Sequence, residues 1–348
     1  MLRTTPNNAV KKSHNLWLNA WYGGAKWVYC LLPLSWLFCV ISVIRKYFIL
    51  RFSQKIINVP VIIVGNISLG GTGKTPLLIA LVEYLQQQGY KPGVVSRGYG
   101  GKAPQYPYEV DEATTAFQSG DEPLLIFNAT KCNVCVAPDR VAAAQLLVKR
   151  GCNIILSDDG LQHYRLGRDL EIAVVDGLRL FGNRHCLPVG PLREPIARLR
   201  QVDLLVVNDP QQDQPVTGNV SYPMQIVARS WKHLRSHRLI ALADLPCKKA
   251  FYAIAGIGNP QRFFNTLAAL SLGFESREFS DHHQFSLSDF HFVGDSQLVM
   301  TEKDAVKCND FAQEKWYSLM VGAKLPTEFW QAFQQKLDAV QTLKKYKV

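Results

Sequence analysis

Three consecutive segments constrain this chain more than any other feature. Val59-Pro-Val-Ile-Ile-Val-Gly65 is apolar and rich in β-branched residues; Asn66-Ile-Ser-Leu-Gly-Gly-Thr-Gly-Lys-Thr75 is rich in glycine; residues 76–90, PLLIALVEYLQQQGY, carry apolar side chains at helical spacing. The first reads as a buried parallel strand. The third reads as a helix with Pro76 in its first turn and Gly89 as its C-cap. A strand, a glycine loop ending in Gly-Lys-Thr and a helix are the setting of a phosphate loop. Glycines let backbone N–H groups close around phosphate oxygens, and the helix N-terminus adds positive potential. ATP is therefore expected on Ser68, Leu69, Gly70, Gly71, Thr72, Gly73, Lys74 and Thr75. Lys74 would reach the β- and γ-phosphates, and the Thr75 hydroxyl would bind Mg2+. The common template has Gly where this chain has Ser68.

Such a loop needs a carboxylate strand for the metal. Cys152-Asn-Ile-Ile-Leu-Ser-Asp158-Asp159-Gly160 supplies an apolar strand ending in acids, so Asp158 or Asp159 would hold Mg2+ directly or through water. Further strands are expected at Gly93–Ser96, Leu170–Asp176 and Asp203–Asn208, with helices between them, including Arg140–Lys149. Strands alternating with helices predict an α/β fold, a P-loop NTPase-like parallel sheet with helices on both faces and ligands at the carboxyl ends of the strands.

Charge sets the leader apart. No Asp or Glu precedes Glu83, while residues 1–82 carry nine basic side chains: Arg3, Lys11, Lys12, Lys26, Arg45, Lys46, Arg51, Lys55 and Lys74. Of the formal net charge of +11, +9 thus lies in the first quarter. Inside that stretch, Trp27 to Ile44 is uncharged and apolar. As a helix it would be about 27 Å long, close to the hydrocarbon thickness of a bilayer. Trp17, Trp21, Tyr22, Trp27 and Tyr29 lie on one side of it and Tyr47 and Phe48 on the other, the amphipathic rings that favour the headgroup level. Pro33 is expected to kink this helix. The flanking Lys and Arg fit anionic lipid, whereas an arm for nucleic acid would be less apolar.

With 348 residues, two compact domains are expected. The boundaries read as a membrane-anchoring leader over 1–55, a P-loop kinase domain over 56–245 and a smaller C-terminal α/β domain over 250–348. A linker falls at residues 243–249, and Ala250-Phe-Tyr-Ala-Ile-Ala-Gly256 opens the second domain as a strand. Eight scattered cysteines exclude a disulfide scaffold, and Cys132–Cys135 lacks a second pair at zinc spacing.

The remaining motifs narrow the class. They are Ser96-Arg97-Gly98-Tyr99-Gly100-Gly101, Gly120-Asp121-Glu122-Pro123, Ala137-Pro138-Asp139-Arg140, Asp158-Asp159-Gly160-Leu161-Gln162-His163, Pro191-Leu192-Arg193-Glu194-Pro195, Asp281-His282-His283 and Thr301-Glu302-Lys303-Asp304. With the apolar leader, this set resembles the tetraacyldisaccharide 4'-kinase family of the lipid A pathway of Gram-negative bacteria, from about Asn19 to Asp304. In that family a Ser commonly opens the phosphate loop. The resemblance implies transfer of the ATP γ-phosphate to the 4'-hydroxyl of an acylated glucosamine disaccharide 1-phosphate, giving lipid IVA. It also implies a catalytic domain on the cytoplasmic side of the inner membrane, against its anionic lipid surface.

The resemblance further assigns residues. Asp121 and His282 match the family's catalytic pair, beside Lys74, with His283 an adjacent alternative. Asp281 is a supporting or metal residue and Glu122 a second metal candidate. Gln162, His163 and Arg193 are expected at the substrate, with Arg97 and Arg140 as further contacts. Thr301–Asp304 approaches the nucleotide base or forms a structural turn. Nothing after about Asp310 carries a usable motif. Closure of the two domains over ATP would exclude water. Two other readings share the phosphate loop: a membrane-attached ATPase that drives a switch or transport, and a nucleotide-binding scaffold without catalysis.

Overall fold

The computed structural model describes residues 16–211, 218, 220–245 and 251–345. The basic residues Arg3, Lys11 and Lys12, and most of the expected linker, lie outside the described residues.

The phosphate-loop strand is β1 (Val61–Gly65), and every one of its residues is buried. It pairs in parallel with β5 (Ile154–Asp158) on one side and β6 (Leu170–Asp176) on the other. Outward from β5 run β2 (Pro92–Ser96) and β4 (Asn133–Val136), both parallel, and then the short antiparallel β3 (Tyr108–Val110). Outward from β6 run β7 (Leu204–Asn208) and β8 (Ser221–His233). Side chains alternate along β1 and so feed two cores. Ile62 and Val64 join Leu77, Leu81 and Leu85 of α2 (Lys74–Gln87) on one face. Val61 and Ile63 join Val141, Ala144 and Leu147 of α4 (Arg140–Lys149) on the other. The third helix of this half, α3 (Asp121–Thr130), packs beside α2. The near-continuous apolar runs predicted for parallel strands arise because both faces are covered.

β8 carries the sheet onward. Its first residues, Ser221–Met224, pair in parallel with β7, and Gln225–His233 pair antiparallel with β13 (Trp316–Lys324). Beyond β13 come β12 (Leu298–Thr301), β10 (Phe251–Ala255) and β11 (Phe274–Glu278), all parallel, while the two-residue β9 (Leu239–Ile240) pairs with β8. Thirteen strands among the described residues therefore form one sheet. Helix α5 (Pro260–Ala269) covers one face of the second half through Phe263, Phe264 and Leu267. The turn α6 (Glu302–Ala305) follows β12 directly. The last helix, α7 (Thr327–Lys345), returns to the first half, where Phe329, Phe333 and Leu337 are fully buried in the α2 core.

The leader is helical, but not as one unit. A 3-10 segment, Lys26–Leu31, leads into α1 (Leu32–Phe52). The helical run changes from 3-10 to α at Leu32, and Pro33 sits in the first turn of α1, where its missing N–H has no carbonyl to serve. The Ser35 hydroxyl of α1 donates to the Cys186 carbonyl at 2.8 Å, and Phe38 and Cys39 pack on the core. Most of its other apolar side chains, among them Trp36, Val40, Ile44 and Phe48, face solvent.

Candidate active site

The phosphate loop leaves β1 at the carboxyl edge of the sheet. Gly70 and Gly73 have φ of 105° and 94°, in the left-handed region. A Cβ on Gly73 would lie 2.4 Å from Nδ2 of Asn208, which donates to the Thr72 carbonyl at 3.0 Å. Asn208, at the end of β7, thus fixes the loop, a role the sequence reading did not assign. Ser68 has an ordinary negative φ and forms a bridge with Leu192, while Leu69 N donates to Pro191 O at 2.9 Å and Arg193 N to Ile67 O at 2.6 Å. The template glycine is dispensable because the backbone here is extended and tied to the 191–193 segment.

The β5 acids sit against this loop. Asp158, fully buried, accepts from the Ser96 hydroxyl through Oδ2 at 3.2 Å, and its Oδ1 is buried without a hydrogen-bond partner. Burial first, then the charges of Glu122 and Asp159, push the Asp158 carboxyl up to about 7. Asp159 goes the other way. Burial alone would raise it, but Lys74 and Arg193 hold its carboxyl well below the usual range. Lys74 Nζ lies 3.5 Å from Oδ1 of Asp159, and Arg193 Nη1 2.8 Å from Oδ2. Asp159 takes φ of 47°, which turns its side chain from the strand toward the loop.

A second pair joins the two halves of the fold. Gly120, at φ of 86°, packs so close to the Tyr99 carbonyl that a Cβ would be 2.7 Å from it, and Asp121 follows as the first residue of α3. Asp121 is buried, and its Oδ2 is 3.1 Å from Nδ1 of His282. His282 also has a left-handed φ, 58°, and lies under the Tyr99 ring. The two neighbouring histidines are separated by geometry: His283 turns away to Asp289, 3.3 Å from Nε2, among Phe279 and Phe285. Lys307, almost fully buried, stands 3.9 Å from Asp121 and 2.8 Å from Asp304.

The other expected residues divide. Gln162 donates to the Asn66 carbonyl at 3.0 Å and to Glu194 at 2.9 Å, and the Tyr164 hydroxyl also donates to Glu194. Arg140 is buried and donates to the Asp159 carbonyl at 3.0 Å. These side chains brace the loop and the acids from beneath. Burial and the Arg140 charge lower the His163 imidazole to about 4, so it is neutral at physiological pH. Arg97 is exposed. Glu122 meets Lys303 at 3.2 Å. In Thr301–Asp304, Asp304 is fully buried and accepts from Gly256 N at 2.8 Å and from the Thr301 hydroxyl at 2.7 Å. The cysteines at 132 and 135 are buried and free.

A parallel sheet whose first strand feeds a glycine loop, with a buried acid on the adjacent strand and an Asp–His pair facing it, defines a P-loop phosphotransferase. Comparison with known proteins agrees. The profile of the family described as Tetraacyldisaccharide-1-P 4'-kinase matches residues 27–338. A tetraacyldisaccharide 4'-kinase of Aeromonas salmonicida is 47% identical over 327 residues, 92% of this chain and 96% of its own. That of Colwellia psychrerythraea is 49% identical over 314 residues, 86% of this chain and 90% of its own. A crystal structure of LpxK from Aquifex aeolicus in complex with ATP has a TM-score of 0.75 and 26% identity, and the match covers 90% of this chain and 99% of that one. The chain belongs to the tetraacyldisaccharide 4'-kinase family.

Proposed function

We propose that this chain transfers the γ-phosphate of ATP to the 4'-hydroxyl of a tetraacyldisaccharide 1-phosphate, forming lipid IVA. The observation that carries the reading is that Lys74 pairs with Asp159 at the glycine loop, Asp121 pairs with His282, and the two regions meet at Gly258, where a Cβ would lie 3.2 Å from Gly71 N and 3.3 Å from Asp281 Oδ2. The loop residues Ser68–Thr75 hold the triphosphate. His282 receives the proton of the 4'-hydroxyl on Nε2, and Asp121 accepts from Nδ1 at 3.1 Å, which fixes the tautomer and orients the ring. The hydroxyl oxygen then bonds to phosphorus, the bond to the β-phosphate oxygen breaks, and ADP leaves with that electron pair. Arg193 and Gln162 keep Asp159 and the loop in place.

Mg2+ fits the residues present. Thr75 offers a hydroxyl, and the unpartnered Oδ1 of Asp158 is a buried carboxylate oxygen in want of a cation. Among the described residues no group of three or more His, Cys, Asp or Glu could cage a metal, which suits an ion that keeps its waters and shares phosphate oxygens. The ion would neutralise charge on the β- and γ-phosphates. Glu122, paired with Lys303, is the weaker ligand candidate.

The acylated acceptor lies in a bilayer, so the enzyme works at its surface. The helical segment Lys26–Phe52 is 27 residues long, and its most apolar 18-residue window is only 11% buried, so this segment has the length and exposure to enter the bilayer. Because ATP is cytoplasmic, the catalytic face is on that side of the inner membrane. Purified protein with radiolabelled ATP, Mg2+ and tetraacyl disaccharide 1-phosphate is expected to put label into lipid. Label released only as inorganic phosphate, at a rate indifferent to the lipid, would instead identify a membrane-attached ATPase.

A further inference from the structure

Lys303 is the residue of Thr301–Asp304 whose environment asks for another explanation. Its neighbours pin the α6 turn from both sides: Asp304 is locked to Gly256 and Thr301, and Glu302 Oε2 accepts from Val321 N at 2.8 Å. Lys303 is thereby left facing the mouth of the site. Its Nζ lies 3.2 Å from Glu122 Oε1, 3.4 Å from Asp281 Oδ1 and 3.4 Å from Nε2 of His282. Nε2 is the imidazole nitrogen turned away from Asp121, and it faces Lys303 at 3.4 Å and Asp281 at 3.8 Å. Any oxygen that hydrogen-bonds to Nε2 must therefore come close to this ammonium. The mouth also abuts the phosphate loop, because a Cβ on Gly258 would be 3.2 Å from Gly71 N and 3.3 Å from Asp281 Oδ2.

Resting on the functional reading above, we propose that Lys303 is a further catalytic residue, whose ammonium, delivered from the second half of the sheet, binds the oxygens of the phosphoryl group as it passes to the 4'-hydroxyl. Lys74 serves the phosphates from the loop side, and Lys303 serves them from the acceptor side. A purely structural pairing explains the placement less well. Lys303 is only 17% exposed whereas Glu122 and Asp281 are 32% and 33% exposed, so the ammonium is withdrawn from water while its carboxylate partners stay partly solvated. An incoming triphosphate offers a stronger partner than two solvated carboxylates, and an ammonium, with three donors and no lone pair, suits equatorial phosphoryl oxygens. Lys303 keeps its protons throughout; the hydroxyl proton goes to His282.

The test is steady-state transfer of label from ATP to tetraacyl disaccharide 1-phosphate by Lys303→Met, Lys303→Gln and Lys303→Arg, beside the wild type. Met and Gln are expected to lower kcat about 100-fold, with the KM for ATP changed less than about threefold, since the loop still holds the nucleotide. Arg is expected to recover most of that loss. Gln can still hydrogen-bond Glu122, so it keeps a structural role and removes only the charge; it also decides the matter should Met fail to fold. A loss under about tenfold in Gln, a change confined to the KM for ATP, or an Arg variant no better than Gln would overturn the assignment. A wild type that leaves the lipid unlabelled would overturn the functional reading and the assignment with it.

Discussion

The proposed function gives Lys74 to the phosphates and Asp121 to the histidine that meets the acceptor hydroxyl. Lys74→Ala removes the loop cation beside Asp159, and Asp121→Ala frees His282 Nδ1 from its acceptor. Each is expected to cost about 100-fold or more in kcat, the scale of a lost positioning or acid–base group. Label transfer at near-wild-type rate in either variant would remove that residue from the mechanism. Glu302 makes a different prediction, because it faces away from the site. Burial, opposed by the Val321 N–H and by Lys232, pushes its carboxyl up to about 7 from an ordinary 4.5. The folded state then binds the proton more tightly than the unfolded chain does. Stability from this group is full below about pH 4.5 and is lost as pH rises toward 7. Glu302→Gln, which can still accept from Val321, should flatten that slope and raise the thermal midpoint at pH 8. An unchanged midpoint at pH 8 would mean that Glu302 is solvated in the folded protein.

At the scale of elements, α7 shows how sequence motifs and structural weight diverge. No motif follows Asp310, yet Phe329, Phe333 and Leu337 complete the core above α2, and Lys344 donates to the carbonyls of Ile57 and Val59 at 2.7 and 2.5 Å, just before β1. Phe333→Ala should therefore destabilise by about 3–5 kcal/mol in denaturant unfolding. A change under 1 kcal/mol would show that α7 is only loosely applied. The phosphate loop and its flanking elements were legible because local chemistry dictates them: apolar β-branched residues, glycines at left-handed positions, a helix start. The paired acids at the end of β5 were legible for the same reason. Asn208 was not, because it meets the Thr72 carbonyl only when β7 is brought beside the loop, and Lys303 was legible as part of a motif but not by its contacts. His282 could be told from His283 only once its φ of 58° turned it to Asp121. Pro33 marks the point where the 3-10 segment gives way to α1, because a proline is tolerated in a first turn but not in a helix interior.

For the molecule as a whole, the proposed function raises the question of how the sheet would reach an acylated acceptor. The body holds α1 mainly through its early turns, at Ser35, Phe38 and Cys39, and holds the preceding segment through Trp21, whose Nε1 donates to Pro188 O at 3.0 Å. The rest of α1 extends apolar side chains that the fold does not cover, with Val40 54% and Ile44 51% exposed. Burial of apolar area and attraction of the basic flanks to anionic lipid would act together there, and they differ in their response to salt. The full chain is expected to float with vesicles containing anionic lipid, and only in part to dissociate when salt is raised, because the apolar contribution is unscreened. Val40→Asp with Ile44→Asp should abolish flotation at every salt concentration while leaving ATP affinity within about twofold, since neither side chain belongs to the phosphate loop or its cores. Flotation that survives the double substitution would move the membrane contact away from α1. Complete release by salt would make the basic flanks, rather than the helix, the whole of the attachment.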